Sequence, residues 1–164
     1  MGQYRQSRAI EASLIDWITE ELANANWTVR VEKSFSEVHG GTLPCICINV
    51  ASVDPTRLEI GSKTNLKYFE IYIRIFAKSD GMRLDLADFI TDLLEDDIDY
   101  YSYIITNGVT TSKTLSGKII ILNFLRNEKE LTNTENLELE DKFRQLITFR
   151  CYIVDYEELW NLYR

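Results

Sequence analysis

The chain is short of the residues that common catalytic sites require. It holds one histidine, His39, beside Gly40 and Gly41 in a segment that reads as loop. A Ser-His-Asp or Cys-His site would have to be built on that residue, and no G-x-S-x-G nucleophile motif accompanies it. The seven glycines are scattered, so neither a G-x-x-x-x-G-K-[ST] nor a G-x-G-x-x-G phosphate cradle exists, and nucleotide chemistry is disfavoured. The three cysteines, Cys45, Cys47 and Cys151, are an odd number with no histidine close enough in sequence to complete a zinc-type ligand set. They read as buried reduced thiols, which suits a reducing compartment. No apolar run approaches the ~20 residues of a membrane helix, and nothing at the start reads as a signal peptide. The expectation is a soluble chain with no membrane partner, no metal and no cofactor.

What the chain does have is acid and aromatic surface. Eighteen Lys and Arg stand against 26 Asp and Glu, a net charge of -8, which repels nucleic acid and argues against a module that grips phosphates. A hydrophobic fraction of 45% over 164 residues suffices for one buried core, so a single domain over residues 1–164 is expected. Aromatic residues make up 12%, and aromatics concentrate in cores and at interfaces.

The clearest pattern is Tyr68 to Ala77 followed by Met82 to Leu94. Phe69, Ile71, Ile73, Ile75 and Ala77 recur at a period of two and mark a core face, while Tyr68, Glu70, Tyr72, Arg74 and Phe76 take the other face. Met82, Leu86, Phe89, Ile90, Leu93 and Leu94 recur at three and four, giving a helix whose polar side includes Arg83. Ser79 or Asp80 is a candidate cap, and Gly81 a point of chain reversal.

Elsewhere, Gln6 to Ala25 reads as a helix with Ser7 as its cap, Trp27 to Lys33 as a half-buried strand, and Leu43 to Val50 as a central strand. Ala51 to Lys67 reads as a loop or long hairpin arm. Asp96 to Tyr103 reads as an acidic, aromatic end to the second helix. Lys118 to Leu125 and Phe143 to Asp155 are further strands, separated by a polar segment, residues 127–141, long enough to be an exposed arm. Residues 156–164 form an aromatic extension. The sum is α+β: a mainly antiparallel sheet of four to five strands flanked by two main helices.

Two surfaces are candidates for function. Asp85, Asp88 and Asp92, with Glu95 and Asp96, share one helix side and could chelate a divalent ion in a nuclease, although such a row is ordinarily a solvated face. Alternating Tyr72, Arg74 and Phe76 have the composition of an interface core. The competing reading is that the first helix covers that sheet face.

The segments Leu43 to Val50, Thr56 to Ser62, Tyr68 to Ala77 and Ser79 to Ile90 together resemble the tail-terminator, or tail-completion, proteins of long-tailed bacteriophages. The matching motifs are Arg57-Leu-Glu59-Ile-Gly61, an alternating strand ending in Phe76-Ala77, and Asp80-Gly-Met-Arg-Leu-Asp-Leu-Ala-Asp88. The resemblance covers roughly residues 43–94. It implies an α+β subunit of a non-enzymatic ring, usually a hexamer, that caps the tail tube and stops its polymerisation. The ring would meet a head-completion or connector protein on its other side and pass DNA through its lumen, and the protein would reside in the virion neck after assembly in the host cytoplasm. Under that reading Arg57, Glu59, Tyr72, Arg74, Phe76, Trp160 and Tyr163 are interface candidates, and Asp85, Asp88 and Asp92 face lumen or solvent. A head-to-tail adaptor on the portal side and a metal-dependent nuclease are the alternatives.

Overall fold

Apolar spacing at the start of the chain produces the first helix. α1 runs Gln6–Asn24 and buries Ile10, Leu14, Ile18 and Leu22, the stripe expected from their spacing. The cap differs from expectation: Arg5 occupies the N-cap position and supplies no side-chain hydrogen bond. The computed structural model describes residues 2–33, 41–57, 65–130 and 143–157. α2 spans Asp80–Leu93, and Ser79 Oγ accepts from the Met82 N–H at 3.2 Å, a cap that stabilises by about 1 kcal/mol. Gly81 lies inside the first turn of α2 rather than at a reversal.

Seven strands lie among the described residues: β1 (Gly2–Gln3), β2 (Arg30–Glu32), β3 (Cys45–Arg57), β4 (Asn65–Phe76), β5 (Ile98–Thr106), β6 (Val109–Lys129) and β7 (Arg144–Asp155). They form one sheet in the order β1-β5-β6-β7-β4-β3-β2. Every neighbouring pair is antiparallel except β2 with β3, which is parallel. The chain is therefore α+β, with two helices and a mixed sheet among the described residues, larger than the four to five strands expected.

The undercount has physical causes. β5 occupies the segment expected to end the helix; its aromatics alternate as a strand only on either side of a register shift between Tyr100 and Tyr101. β1 is two residues long, too short for a periodic signal, whereas β2 lies within the strand expected over Trp27 to Lys33 and is only shorter than expected. β3 and β4 continue as a hairpin stem through Arg57 and Asn65, the hairpin-arm option for that connection. β6 is 21 residues long, against eight expected, and takes in the first three residues of the anticipated arm.

The sheet curls around α1, because β5 on one side and β3 on the other both pack against it. Two side chains tie the helix to both sides. Glu11 Oε2 accepts from the Val50 N–H at 3.2 Å, and Ser13 Oγ accepts from the Tyr101 N–H at 3.0 Å. Residues two apart on a helix point in nearly opposite directions, so a single turn of α1 reaches opposite strands. Both amides lie at shifts in register, where the ladder is interrupted and a side-chain acceptor is needed.

Between the helices and the sheet, Phe69, Ile71, Ile73 and Ile75 are at most 1% exposed and share one core with Ile10, Leu14, Leu86 and Ile90. The expected core face of β4 is the observed one. Cys151 lies in that core, and burial pushes its thiol up to about 12, so it is unreactive at neutral pH.

Candidate interaction surface

The same β4 that lines the core turns its alternate residues to the other side of the sheet. Antiparallel register sets rows across β3, β4, β7 and β6 on this outer face. One row is Asn49, Tyr72, Thr148 and Arg126; the next is Cys47, Arg74, Leu146 and Glu128. α1 and α2 bury their apolar stripes against the opposite face, so the first helix does not cover this one.

The outer face is uneven. At one end Phe76 is 1% exposed and packs with Cys45, Cys47 and Leu43 in a second small core, with the Arg144 guanidinium 5.0 Å from its ring centre. Phe76 is thus a packing residue of the subunit and not the contact residue expected; strand alternation gives its face but not what lies over it. Next to it Glu130 is shared by two arginines, 2.9 Å from Arg144 and 3.5 Å from Arg74. Arg74 also lies 5.1 Å from the centre of the Tyr72 ring, so ring and carboxylate together restrain its guanidinium. Towards the other end Glu70, Tyr68 and Tyr152 are half-buried, Arg126 is exposed, and Arg150 reaches Asp54 at 3.5 Å. Two buried atoms on the Tyr72 row, Asn49 Oδ1 and Thr148 Oγ1, have no hydrogen-bond partner among the described residues.

Among the described residues the structure brings the candidates Tyr72 and Arg74 together. Arg57 is exposed at the end of the β3–β4 stem. Glu59, Trp160 and Tyr163 lie outside the described residues, as do His39 and most of the anticipated arm. Asp85, Asp88 and Asp92 are exposed on α2. Among the described residues no three His, Cys, Asp or Glu side chains converge to hold a metal ion, so the nuclease alternative gains no geometric support.

Arg83, expected on the polar side of α2, is buried. Its Nε donates to Asp80 Oδ1 at 3.0 Å and its Nη1 to Gln145 Oε1. The Arg83 hydrogen bond is the leading cause that holds the Asp80 carboxyl below its ordinary range. Gln145 Nε2 in turn donates to Asn127 Oδ1 at 2.7 Å, and Asn127 Nδ2 to Thr91 Oγ1 at 3.1 Å, stitching α2 to β7 and β6.

Sequence reasoning missed Glu130, Arg144 and Gln145, which acquire partners only through cross-strand register. It also placed Leu122 to Leu125 in an apolar strand, yet Leu122, Phe124 and Leu125 are exposed. Register shifts skip Leu122 and Leu125, changing the phase of the alternation twice in four residues.

Among the described residues no helix is long and apolar enough to cross a membrane. No family model matches the chain, and no curated protein matches it.

Proposed function

We propose that the chain is a non-enzymatic structural subunit of a bacteriophage neck. It assembles as a ring, expected to be a hexamer, on the last ring of the tail tube, ends tail polymerisation and joins the tail to the head connector while DNA passes through the lumen. The motif resemblance over residues 43–94 is the starting point. The observation that carries the reading to an interface is the Tyr72–Arg74 pair, a half-buried aromatic and a guanidinium 5.1 Å apart on a sheet face that neither helix covers. Aromatics and arginine are the residue types that dominate binding energy at protein contacts. A net charge of -8 suits a channel that must let phosphates pass without holding them, and the exposed Asp85 and Asp92 suit a surface toward lumen or solvent.

Electron microscopy of virions assembled without this protein tests the reading. Overlong or headless tails are expected. Tails of normal length joined to filled heads would overturn it, and copurification of the protein with the portal side alone would instead favour a head-to-tail adaptor.

A further inference from the structure

Four of the eight large apolar side chains exposed among the described residues lie on two neighbouring elements, Leu84 on α2 and Leu122, Phe124 and Leu125 on β6, whose junction forms a seam. From Ile120 to Lys129, β6 pairs with β7 on one side and, among the described residues, with no strand on the other. The shifts at Leu122 and Leu125 break the regular ladder along this edge. It is therefore poorly suited to strand addition and offers side chains instead. α2 lies alongside, fixed by Asn127 to Thr91 at 3.1 Å and Lys129 to Asp80 at 3.7 Å. Leu84, Asp88 and Thr91 are spaced four and three apart and so form the helix flank next to β6, and Glu95 follows just past the helix end. Leu84, Asp88 and Glu95 are exposed, and the only basic residue from Ser79 to Asp97, Arg83, is buried. The seam is apolar with an acidic border.

The opposite chemistry lies elsewhere on the same chain. Where the β3–β4 stem runs past the start of α1, a groove of about 660 Å³ is lined by Ser7, Arg8, Lys33, Val50, Ala51 and Val53, together with Ser52 and Glu11. The Glu11 carboxylate is engaged by the Val50 N–H. Lys67, whose Nζ donates to Gln6 Oε1 at 3.2 Å, adds a further cation beside the start of α1. The first turn of α1 carries no acid and no side-chain cap, so its positive end is not offset locally.

We infer that the α2–β6 seam of one copy docks into this groove on a second copy, Phe124 and Leu125 meeting Val50 and Val53 while Asp88 and Glu95 meet Arg8 and Lys67. The inference rests on the ring reading above and supplies a subunit contact additional to the Tyr72–Arg74 face. Because the two surfaces differ, each copy leaves one of each open, and the assembly ends only when the rotation closes.

Sedimentation of the full chain with charges reversed tests this. Asp88→Lys with Glu95→Lys alters the seam, and Arg8→Glu with Lys67→Glu alters the groove. Each reversed chain alone should need about tenfold more protein or greater to assemble, since facing like charges oppose association. An equimolar mixture should regain wild-type assembly by alternation. Circular dichroism confirms folding, and Leu125→Asn, at an exposed bulge, should weaken assembly in the same way if a reversed chain fails to fold. A wild type that assembles while the altered chains assemble equally well, or a mixture that is not rescued, overturns this contact and leaves the ring reading standing. A wild type that stays monomeric at high concentration and in the presence of tail tubes overturns both.

Discussion

β4 presents two faces built from alternate residues of one strand, and they behave differently. On the inner face Phe69, Ile71, Ile73 and Ile75 meet two helices and lose all but 1% or less of their surface. On the outer face Glu70, Tyr72 and Arg74 keep part of theirs, and Arg74 is held by single side chains, Tyr72 of its own strand and Glu130 just past β6. The inner face gains from the non-directional removal of apolar area from water, ~25 cal/mol per Å². The outer face depends on geometry, namely one carboxylate between two guanidiniums and one ring beside one of them, Arg74. The first kind of interaction can hold a fold. The second is suited to choosing a partner.

Substitutions on the two faces should therefore separate. Ile73→Asp places a carboxylate in the shared core and should cost more than ~4 kcal/mol, abolishing the native circular dichroism spectrum; a folded Ile73→Asp protein would break the comparison outright. Gly117→Ala comes next. Gly117 pairs with Tyr100 on β5 and Asp155 on β7, and a Cβ there would press on the Val154 carbonyl oxygen. A loss of roughly 2 to 3 kcal/mol is expected from such overpacking, read as a lowered midpoint in urea. Glu130→Ala removes the carboxylate shared by Arg74 and Arg144 and should cost about 2 kcal/mol, a loss that Glu130→Gln only partly restores.

The smallest stability effect concerns the tie between α1 and β3. Burial is the leading cause that raises the Glu11 carboxyl above its ordinary value of 4.5. The folded state thus binds a proton more readily than the unfolded one just above that value, and stability falls as pH rises through that window. Glu11→Gln keeps an acceptor for the Val50 N–H without the buried charge. It should melt at or slightly above wild type at pH 7, and thermal melts should show the gap closing as pH falls through that window. Glu11→Ala, which leaves the Val50 amide without its acceptor, should melt lower at both ends.

How legible each face was in the sequence follows from the same physics. The inner face of β4 and the stripes of α1 and α2 repeat a simple period, so Ile73, Leu14 and Leu86 could be placed from spacing alone. Arg83 could not, because its burial depends on Asp80 and on Gln145, 62 positions away. β5 and the second half of β6 were obscured by bulges, which reset the phase that a period of two depends on. On the outer face Tyr72 and Arg74 were legible as an aromatic and cationic pair, whereas the burial of Phe76 was not. Its neighbours Cys45 and Arg144 come from other strands, and only register brings them to the same row.

The central claim is that Tyr72 and Arg74 serve assembly rather than stability. The most direct test is the mass distribution of Tyr72→Ala beside wild type in the presence of the tail tube, at matched folded content. The expected result is rings from wild type and folded single subunits from Tyr72→Ala, with a melting change equivalent to less than ~1 kcal/mol. Normal rings from Tyr72→Ala would contradict it.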